Sequence, residues 1–210
     1  MKYIIMIKKI CRKYIQELKQ VNKIFEIQDG YLNSIPYDFS ERIPECVKKL
    51  STWRIENPSL SPARFPVSDE RTEKWLNTAI LNNPDRVLFM IQAPEKQCIG
   101  HIGISIIDYE KEIIRIDSVL KGVKSECPGI MKKAVSFLIG WCFEILGAQV
   151  VDLVVLDDNV RAIKLYLDCG FQVDKKIPLK RIDERNEVNW VEDETLNEAE
   201  KYYLHMKVCR

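Results

Sequence analysis

The sequence predicts an α/β (α+β) fold in which helices flank a central sheet of about six to seven strands. Several runs rich in Val, Ile, Leu and Phe have strand length, and the run VVDLVVL at residues 150–156 is typical of a buried strand. On either side of it, apolar residues recur three and four positions apart, and Gly147 and Gly170 end these helical segments. The chain has 210 residues, 46% hydrophobic and 30% charged, which is enough for one substantial core.

The first part of the chain is predicted as an N-terminal extension, residues 1–42, packed on a main domain of residues 43–210. The opening sequence MKYIIMIKKICRKYI mixes basic and apolar side chains. Its apolar run at residues 3–7 is too short for a signal sequence or a membrane span, and Lys8 and Lys9 interrupt it. We therefore expect a folded strand or an amphipathic helix, with a helix on a membrane surface as the alternative. Residues 30–39 are predicted as a loop.

Two helices and three strands are predicted next. Residues 43–57 form the first helix, which Asn57-Pro58 ends, and Ser68 is a suitable N-cap for the second. Residues 86–92 and 98–108 form a hairpin, and residues 111–119 form the third strand. Asp117 lies in that strand, where an acid is costly to bury unless it is paired or takes part in chemistry. A pair with Arg115 or another cation and a functional role are equal alternatives.

A loop, a helix, a strand and a second helix occupy residues 122–171. The loop GVKSECPG precedes a helix that starts at Ile130, and DDNVRAIKLYLDCGF supplies the second helix after the buried strand. The rest is predicted as a strand at residues 172–176, a hairpin whose turn is DERNE, and a final strand at residues 202–208. His205 in that last strand is predicted to be structural.

The segment NVRAIKLYLDCGF, residues 159–171, resembles the acetyl-CoA-binding half of the GNAT superfamily of N-acetyltransferases. The likeness consists of an Asn, an Ala, a Tyr seven residues after the Asn, and a closing Gly-Phe. It implies a GNAT fold with a mixed, strongly curved sheet, and acetyl-CoA as the cofactor. The patterns L-x-x-W-R-x-x-N and E-x-T-x-x-W-L at residues 50–57 and 70–76 further resemble members that modify amino sugars or ribosomal-protein N-termini.

The resemblance places the cofactor's diphosphate at the start of the helix that begins at Ile130, where backbone N–H groups and the helix dipole favour anions. The usual signature Q/R-x-x-G-x-G/A overlays residues 126–131 with only its central glycine kept. Glu126 replaces the basic first residue, so it either turns away or is offset by Lys121 and Lys124. The residues to which the resemblance assigns cofactor binding are Val119, Lys124, Gly129, Ile130, Met131, Asn159, Ala162 and Tyr166.

The resemblance also assigns roles in catalysis. Asp117 is the candidate general base, and an N–H at a bulge in residues 118–120 would stabilise the oxyanion. Tyr166 would protonate the departing thiolate, or else it packs its helix onto the sheet. On the acceptor side, Arg54 would meet a phosphate of the substrate or is a salt-bridged surface group. His101 would bind the substrate as a proton acceptor or hydrogen-bond partner in the acceptor slot, or is a satisfied core or edge histidine.

The function implied is an acetyl-CoA-dependent N-acetyltransferase, an acyltransferase in which a primary amine attacks the thioester directly. The favoured acceptor is a small-molecule amine, an amino sugar attached to a nucleotide. Protein N-termini are the alternative, and a degenerate CoA-binding interaction module is another. A net charge of +1 without a basic stripe argues against nucleic acid. Seven cysteines without a C-x-x-C pair favour a cytoplasmic protein and no metal site, and a homodimer is a further expectation.

Overall fold

The computed structural model describes residues 2–58, 61–123 and 127–210. Within these residues the helices are α1 (Lys2–Val21), α2 (Phe39–Arg42), α3 (Cys46–Glu56), α4 (Asp69–Trp75, continued by a π-helical segment Leu76–Leu81), α5 (Ile130–Glu144) and α6 (Val160–Asp168). The strands are β1 (Ile24–Ile27), β2 (Gly30–Ser34), β3 (Val87–Gln92), β4 (Cys98–Asp108), β5 (Ile113–Lys121), β6 (Val150–Leu156), β7 (Gln172–Glu184), β8 (Glu187–Glu192) and β9 (Lys201–Cys209).

The strands form one mixed sheet in the order β1-β2-β3-β4-β5-β6-β9-β7-β8. Every neighbouring pair is antiparallel except β5 and β6, which are parallel. The predicted α/β class is confirmed, but the predicted strand number is too low because the described residues form nine strands. The loop predicted over residues 30–39 is wrong in its first half, where β2 pairs with β3. The sequences IFEI and GYLNS are too short and too mixed in polarity for a clear period-two pattern.

Helix α1 packs its apolar side into the main core through Cys11, Ile15 and Leu18. The expectation of an amphipathic helix at the N-terminus is therefore confirmed. Because β1 and β2 also join the sheet, residues 1–42 contribute strands as well as a packed helix, and the division of the chain at residue 42 stays a prediction. No helix among the described residues is long and apolar enough to cross a membrane.

Helices α3 and α4 cover part of one face of the sheet over a second, smaller core. Trp53 of α3 is 2% exposed in this core, with Leu88 and Leu120 from the sheet. Its ring lies so close to Gly122 that any Cβ at that position would overlap it. Trp53 is therefore a core residue. The predicted N-cap of α4 is confirmed, since the Ser68 hydroxyl accepts from the amide of Arg71 at 3.2 Å.

Strands β5 and β6 part from each other halfway along their length. They pair only from Ile113 with Val150 to Arg115 with Asp152, after which β6 continues alongside β9. Beyond this point β5 stays paired with β4, but the register shifts by one residue opposite His101 and Gly103, and Ser118 has a φ of 55°. The bulge expected at residues 118–120 is thus confirmed. A slot opens between the second halves of the two parallel strands.

The C-terminal hairpin reaches back to the first part of the chain. Strand β7 extends to Glu184, well past the predicted end at residue 176, and the turn lies within the predicted DERNE. An isolated β-bridge joins Arg64, in the loop between α3 and α4, to Val188 of β8. Arg71 also pairs with Glu187. These contacts place the hairpin beside α4 at the edge of the uncovered sheet face.

Candidate active site

A cleft of about 1190 Å³ runs from the slot between β5 and β6 to the sheet face beside α3 and α4. The cleft has two parts. The cofactor half borders the slot, α5 and α6, and the acceptor half borders α3, α4 and the exposed face of β4 and β5. Lys124 lies outside the described residues, and the other residues predicted for the site all line the cleft: Arg54, His101, Asp117, Val119, Gly129, Ile130, Met131, Asn159, Ala162 and Tyr166.

The N-terminus of α5 faces open space in the cofactor half. Gly129 is its N-cap with a φ of 75°, a conformation that glycine adopts without strain. A Cβ added to Gly129 would meet no atom within 4 Å among the described residues. The first N–H groups of a helix have no intrahelical acceptor, so Ile130 and Met131 can donate to an anion here. Three cationic side chains line the same half of the cleft: Lys132, Arg161 and Lys164.

The bulged end of β5 directs a backbone donor into the slot. The amide of Gly122, just after β5, donates to the carbonyl of Ile99 in β4 at 2.8 Å. Because alternate residues of a strand turn their amides to opposite sides, the amide of Lys121 faces the gap that β6 leaves. Val119, in the bulge, lines the same gap. An open slot with an inward amide, a free helix N-terminus and nearby cations fits the thioester tail and phosphates of acetyl-CoA.

Asn159 caps α6 through its side chain. Its Oδ1 accepts from the amide of Ala162 at 3.2 Å, so the carbonyl end of this side chain is engaged within the protein. The amide NH₂ group has no acceptor among the described residues and remains available to a ligand. A direct contact between Asn159 and the cofactor stays a prediction.

Tyr166 is buried against Phe171, with the two rings edge to face at 5.9 Å between centroids. Burial raises the pKa of its phenol above the usual value, with smaller contributions from Asp117 and Cys169. The hydroxyl is therefore protonated throughout the neutral range. Its hydroxyl has no hydrogen-bond partner in the described part of the chain, and the residue lines the cleft. Tyr166 thus both packs α6 and offers a proton donor.

Asp117 is ion-paired, and its partner is Arg86. One carboxylate oxygen accepts from Arg86 Nη2 at 3.2 Å and the other accepts from the amide of Ser118 at 2.6 Å. Gly103 lies opposite Asp117 in β4, so no β4 side chain stands between Asp117 and Arg86 at that point. Arg115 instead donates twice to Asp152 of β6, at 2.7 and 3.1 Å. The carboxylate of Asp117 is still about half exposed to the cleft.

His101 supports the bulge through a hydrogen bond from its ring. Its Nδ1 donates to the carbonyl of Ser118 at 2.6 Å, and its ring stacks on Trp53 at 6.1 Å. Burial lowers the pKa of His101 to about 4, which outweighs the opposing effects of the Ser118 carbonyl and Asp117. The imidazole is therefore neutral at pH 7. This arrangement is that of a satisfied core histidine, although one edge borders the cleft.

Arg54 has no carboxylate partner among the described residues. Its Nη2 donates to the carbonyl of Ala63 at 3.0 Å, and its guanidinium lies 5.1 Å from the centre of the Phe65 ring. Burial, with a contribution from Arg64, lowers its pKa. The interpretation as a salt-bridged surface group does not describe this half-buried side chain.

Several lining residues escaped the sequence analysis. Arg86 precedes β3 and reaches Asp117 across β4, a contact for which the sequence carries no local signal. Arg161 and Lys164 lie within the motif at residues 159–171, and their positive charge near the predicted diphosphate site is the signal by which the sequence could have pointed to them. Within the described ranges, no three His, Cys, Asp or Glu side chains are placed to hold a metal ion.

Solved structures with the same fold are N-acetyltransferases. A spermidine N-acetyltransferase from Vibrio cholerae, in complex with CoA and spermine, matches with a TM-score of 0.59 and 17% identity, over 87% of this chain and 96% of that chain. The dodecameric structure of spermidine N-acetyltransferase from the same organism matches with a TM-score of 0.61 and 16% identity, over 87% and 94%. At these identities the likeness shows the fold. No curated protein sequence matches the chain significantly.

The sequence itself matches a family model. The model described as "Acetyltransferase (GNAT) family" matches residues 50–171, more than half of the chain. This range contains the parted strands β5 and β6, the helix that starts at Gly129 and the motif of α6. The chain therefore belongs to the GNAT family of acetyl-CoA-dependent acetyltransferases.

Proposed function

We propose that this protein transfers the acetyl group of acetyl-CoA to the primary amine of a small molecule by direct attack. The observation that carries the proposal is the continuity of the cleft, which joins the slot between β5 and β6 to the sheet face beneath α3 and α4. A donor held in the slot and an acceptor on the sheet face would meet where the two strands part. Neither needs a covalent bond to the protein.

The cofactor half would hold acetyl-CoA through backbone amides and cationic side chains. The amides at the start of α5 and the side chains of Lys132, Arg161 and Lys164 would bind the phosphates, while the amide of Val119 would donate into the slot. Bound acetyl-CoA supplies a thioester as the acetyl donor. Val119 lies in the bulge between the paired positions Asp117 and Leu120, so its amide would be held between two anchored residues and could stabilise an oxyanion with little reorganisation.

Two side chains would move protons. Asp117, half exposed on the cleft floor, would accept a proton from the acceptor's ammonium group, directly or through water. Its pairing with Arg86 fixes the position of the carboxylate. Tyr166, protonated because burial raises its pKa, would donate to the departing thiolate. His101 would act indirectly by holding Ser118 in its bulged conformation.

The acceptor belongs to one of two classes of amine. The resemblance of the opening helices favours an amino sugar attached to a nucleotide, and the position of Arg54 in the acceptor half agrees with it. A polyamine is the second candidate, since the structural neighbours are spermidine N-acetyltransferases. Protein N-termini stay an alternative. A homodimer also stays a prediction.

Binding of acetyl-CoA tests the proposal first. Titration with acetyl-CoA should raise the melting temperature. Acetyl transfer is then measured as the free CoA thiol that appears when an amine is added. Gly129→Val should weaken acetyl-CoA binding because a β-branched residue cannot hold a φ of 75° without strain. No melting shift at millimolar acetyl-CoA would instead favour an interaction module without catalysis.

A further inference from the structure

The acceptor half of the cleft contains more positive than negative charge. Among the described residues, four arginines line this half, and one acidic side chain, that of Asp117, faces it. Three of the arginines are neutralised by carboxylates within the protein, in the pairs Arg71 with Glu187, Arg86 with Asp117, and Arg115 with Asp152. Arg54 is the one of the four without such a partner among the described residues.

The guanidinium of Arg54 is held in place but largely unused. Of its five N–H groups, the contacts among the described residues engage one, which donates to Ala63. The guanidinium carbon also lies 5.1 Å from the centre of the Phe65 ring, a cation–π contact that, with the hydrogen bond to Ala63, holds the group beside the cleft. A partly buried cation without a counter-charge is unfavourable, and such groups are typical of sites where a ligand supplies the charge.

Arg86 lines the same half of the cleft, but its charge is already paired. Its Nη2 donates to Asp117, and its Nε is buried without a hydrogen-bond acceptor in the described part of the chain, so a ligand in the cleft would not reach that nitrogen. Among the described residues, the acceptor half therefore offers the free donors of Arg54 and no unpaired carboxylate.

We propose that the acceptor carries an anionic group, a phosphate or a carboxylate, in addition to its primary amine, and that Arg54 binds this group. The inference rests on the proposed acetyltransferase function and narrows its substrate class. A planar fork of N–H donors matches the oxygen atoms of both anions. A polyamine lacks a group to neutralise Arg54, and each of its charges would face arginines in a cleft whose acid, Asp117, is already paired.

Matched amines test the inference at saturating acetyl-CoA. Glucosamine 6-phosphate is compared with glucosamine, 3-aminopropanoate with 3-aminopropanol, and spermidine serves as the polycation. We expect kcat/KM for the anionic member of at least one pair to exceed that of its neutral partner by about 10- to 100-fold, the range of one or two charge-assisted hydrogen bonds. The pair that shows the difference tells whether the anion is a phosphate or a carboxylate.

Variants connect the preference to Arg54. Arg54→Gln should remove the advantage of the anionic amine mainly through KM, while the neutral amine and the KM for acetyl-CoA change little. Arg54→Lys keeps the charge but loses the fork, and should retain part of the advantage. Lys48→Gln removes an exposed charge of the same sign from α3 and should leave the preference intact.

Equal kcat/KM within both pairs, or a preference for spermidine that Arg54→Gln leaves unchanged, overturns the inference while acetyl transfer stands. Failure to bind acetyl-CoA would instead remove the proposed function. If none of the five amines is acetylated, calorimetry with the CoA-saturated protein and the same amines decides. Tighter binding of an anionic member that depends on Arg54 supports the inference, and its absence overturns it.

Discussion

The carboxylate of Asp152 fixes the point at which β5 and β6 part, and its removal should weaken the fold measurably. Asp152 is 4% exposed and accepts two hydrogen bonds from Arg115 and one from His205 Nε2 at 2.7 Å. Arg115 and Asp152 also form the last paired position before the slot opens. The side chain therefore links three neighbouring strands, β5, β6 and β9, at the base of the slot.

Asp152→Asn keeps the size of the side chain but turns one acceptor into a donor. At least one of the three contacts then faces donor to donor, and the guanidinium of Arg115 loses its counter-charge. Charge-assisted hydrogen bonds contribute about 1.5–3 kcal/mol each, and breaking a buried pair typically costs about 3–5 kcal/mol. We expect a loss of about 3–4 kcal/mol in the free energy of unfolding, or roughly 10 °C in melting temperature for a chain of this size.

Urea unfolding followed by far-UV circular dichroism measures the change. Asp183→Asn is the matched control, because Asp183 is 62% exposed and pairs with Arg181 on the hairpin. The control should stay within about 0.5 kcal/mol of the parent protein. A stability for Asp152→Asn equal to that of the control would refute the reasoning. An increased KM for acetyl-CoA is expected as well, since the slot begins at this pair.

Four further changes test other parts of the site. Tyr166→Phe should lower kcat by about 100-fold with little change in acetyl-CoA binding by calorimetry, and an unchanged kcat would exclude Tyr166 as the acid. Asp117→Asn should lower the rate at neutral pH and alter its dependence on pH, whereas a parental profile would place the base elsewhere. Gly122→Ala should cost about 1–3 kcal/mol in urea unfolding, because the new methyl group overlaps the Trp53 ring. His101 has a folded pKa of about 4, below its ordinary value, so the unfolded chain binds its proton first. Stability should fall as the pH drops from 6.5 towards 4, and His101→Gln should flatten that slope; identical slopes in the two proteins would contradict the assignment.

The part of the fold that could be predicted is the part with short-range signals. The helix from Ile130, the strand at residues 150–156 and the helix ended by Gly170 follow from apolar spacing and glycine stops within a few residues. Strands β1 and β2 lack such signals, because each has five residues or fewer and β2 joins the sheet by pairing with β3, a segment far along the chain. Tertiary contacts decide such short strands.

In the candidate site, too, some residues could be predicted from local signals and others depend on contacts between distant parts of the chain. The positions of Gly129 at the start of α5 and of Val119 beside the slot could be predicted, because they depend on local conformation and strand position. Their contact with the cofactor stays a prediction. The pair of Asp117 with Arg86 could not be predicted, since it joins residues 31 positions apart across the side-chain-free Gly103. The lack of a counter-charge at Arg54 is likewise a property of its neighbours in space.

The bridge between Arg64 and Val188 has a consequence for the order in which the protein forms. These two residues are separated by more than half of the sequence, and closing so large a loop costs entropy before any contact compensates for it. During synthesis, the border of the cleft beside α4 can form only after the hairpin of β7 and β8 has left the ribosome. A nascent chain that ends before residue 184 would therefore already contain α5, yet would lack the border that completes the acceptor half.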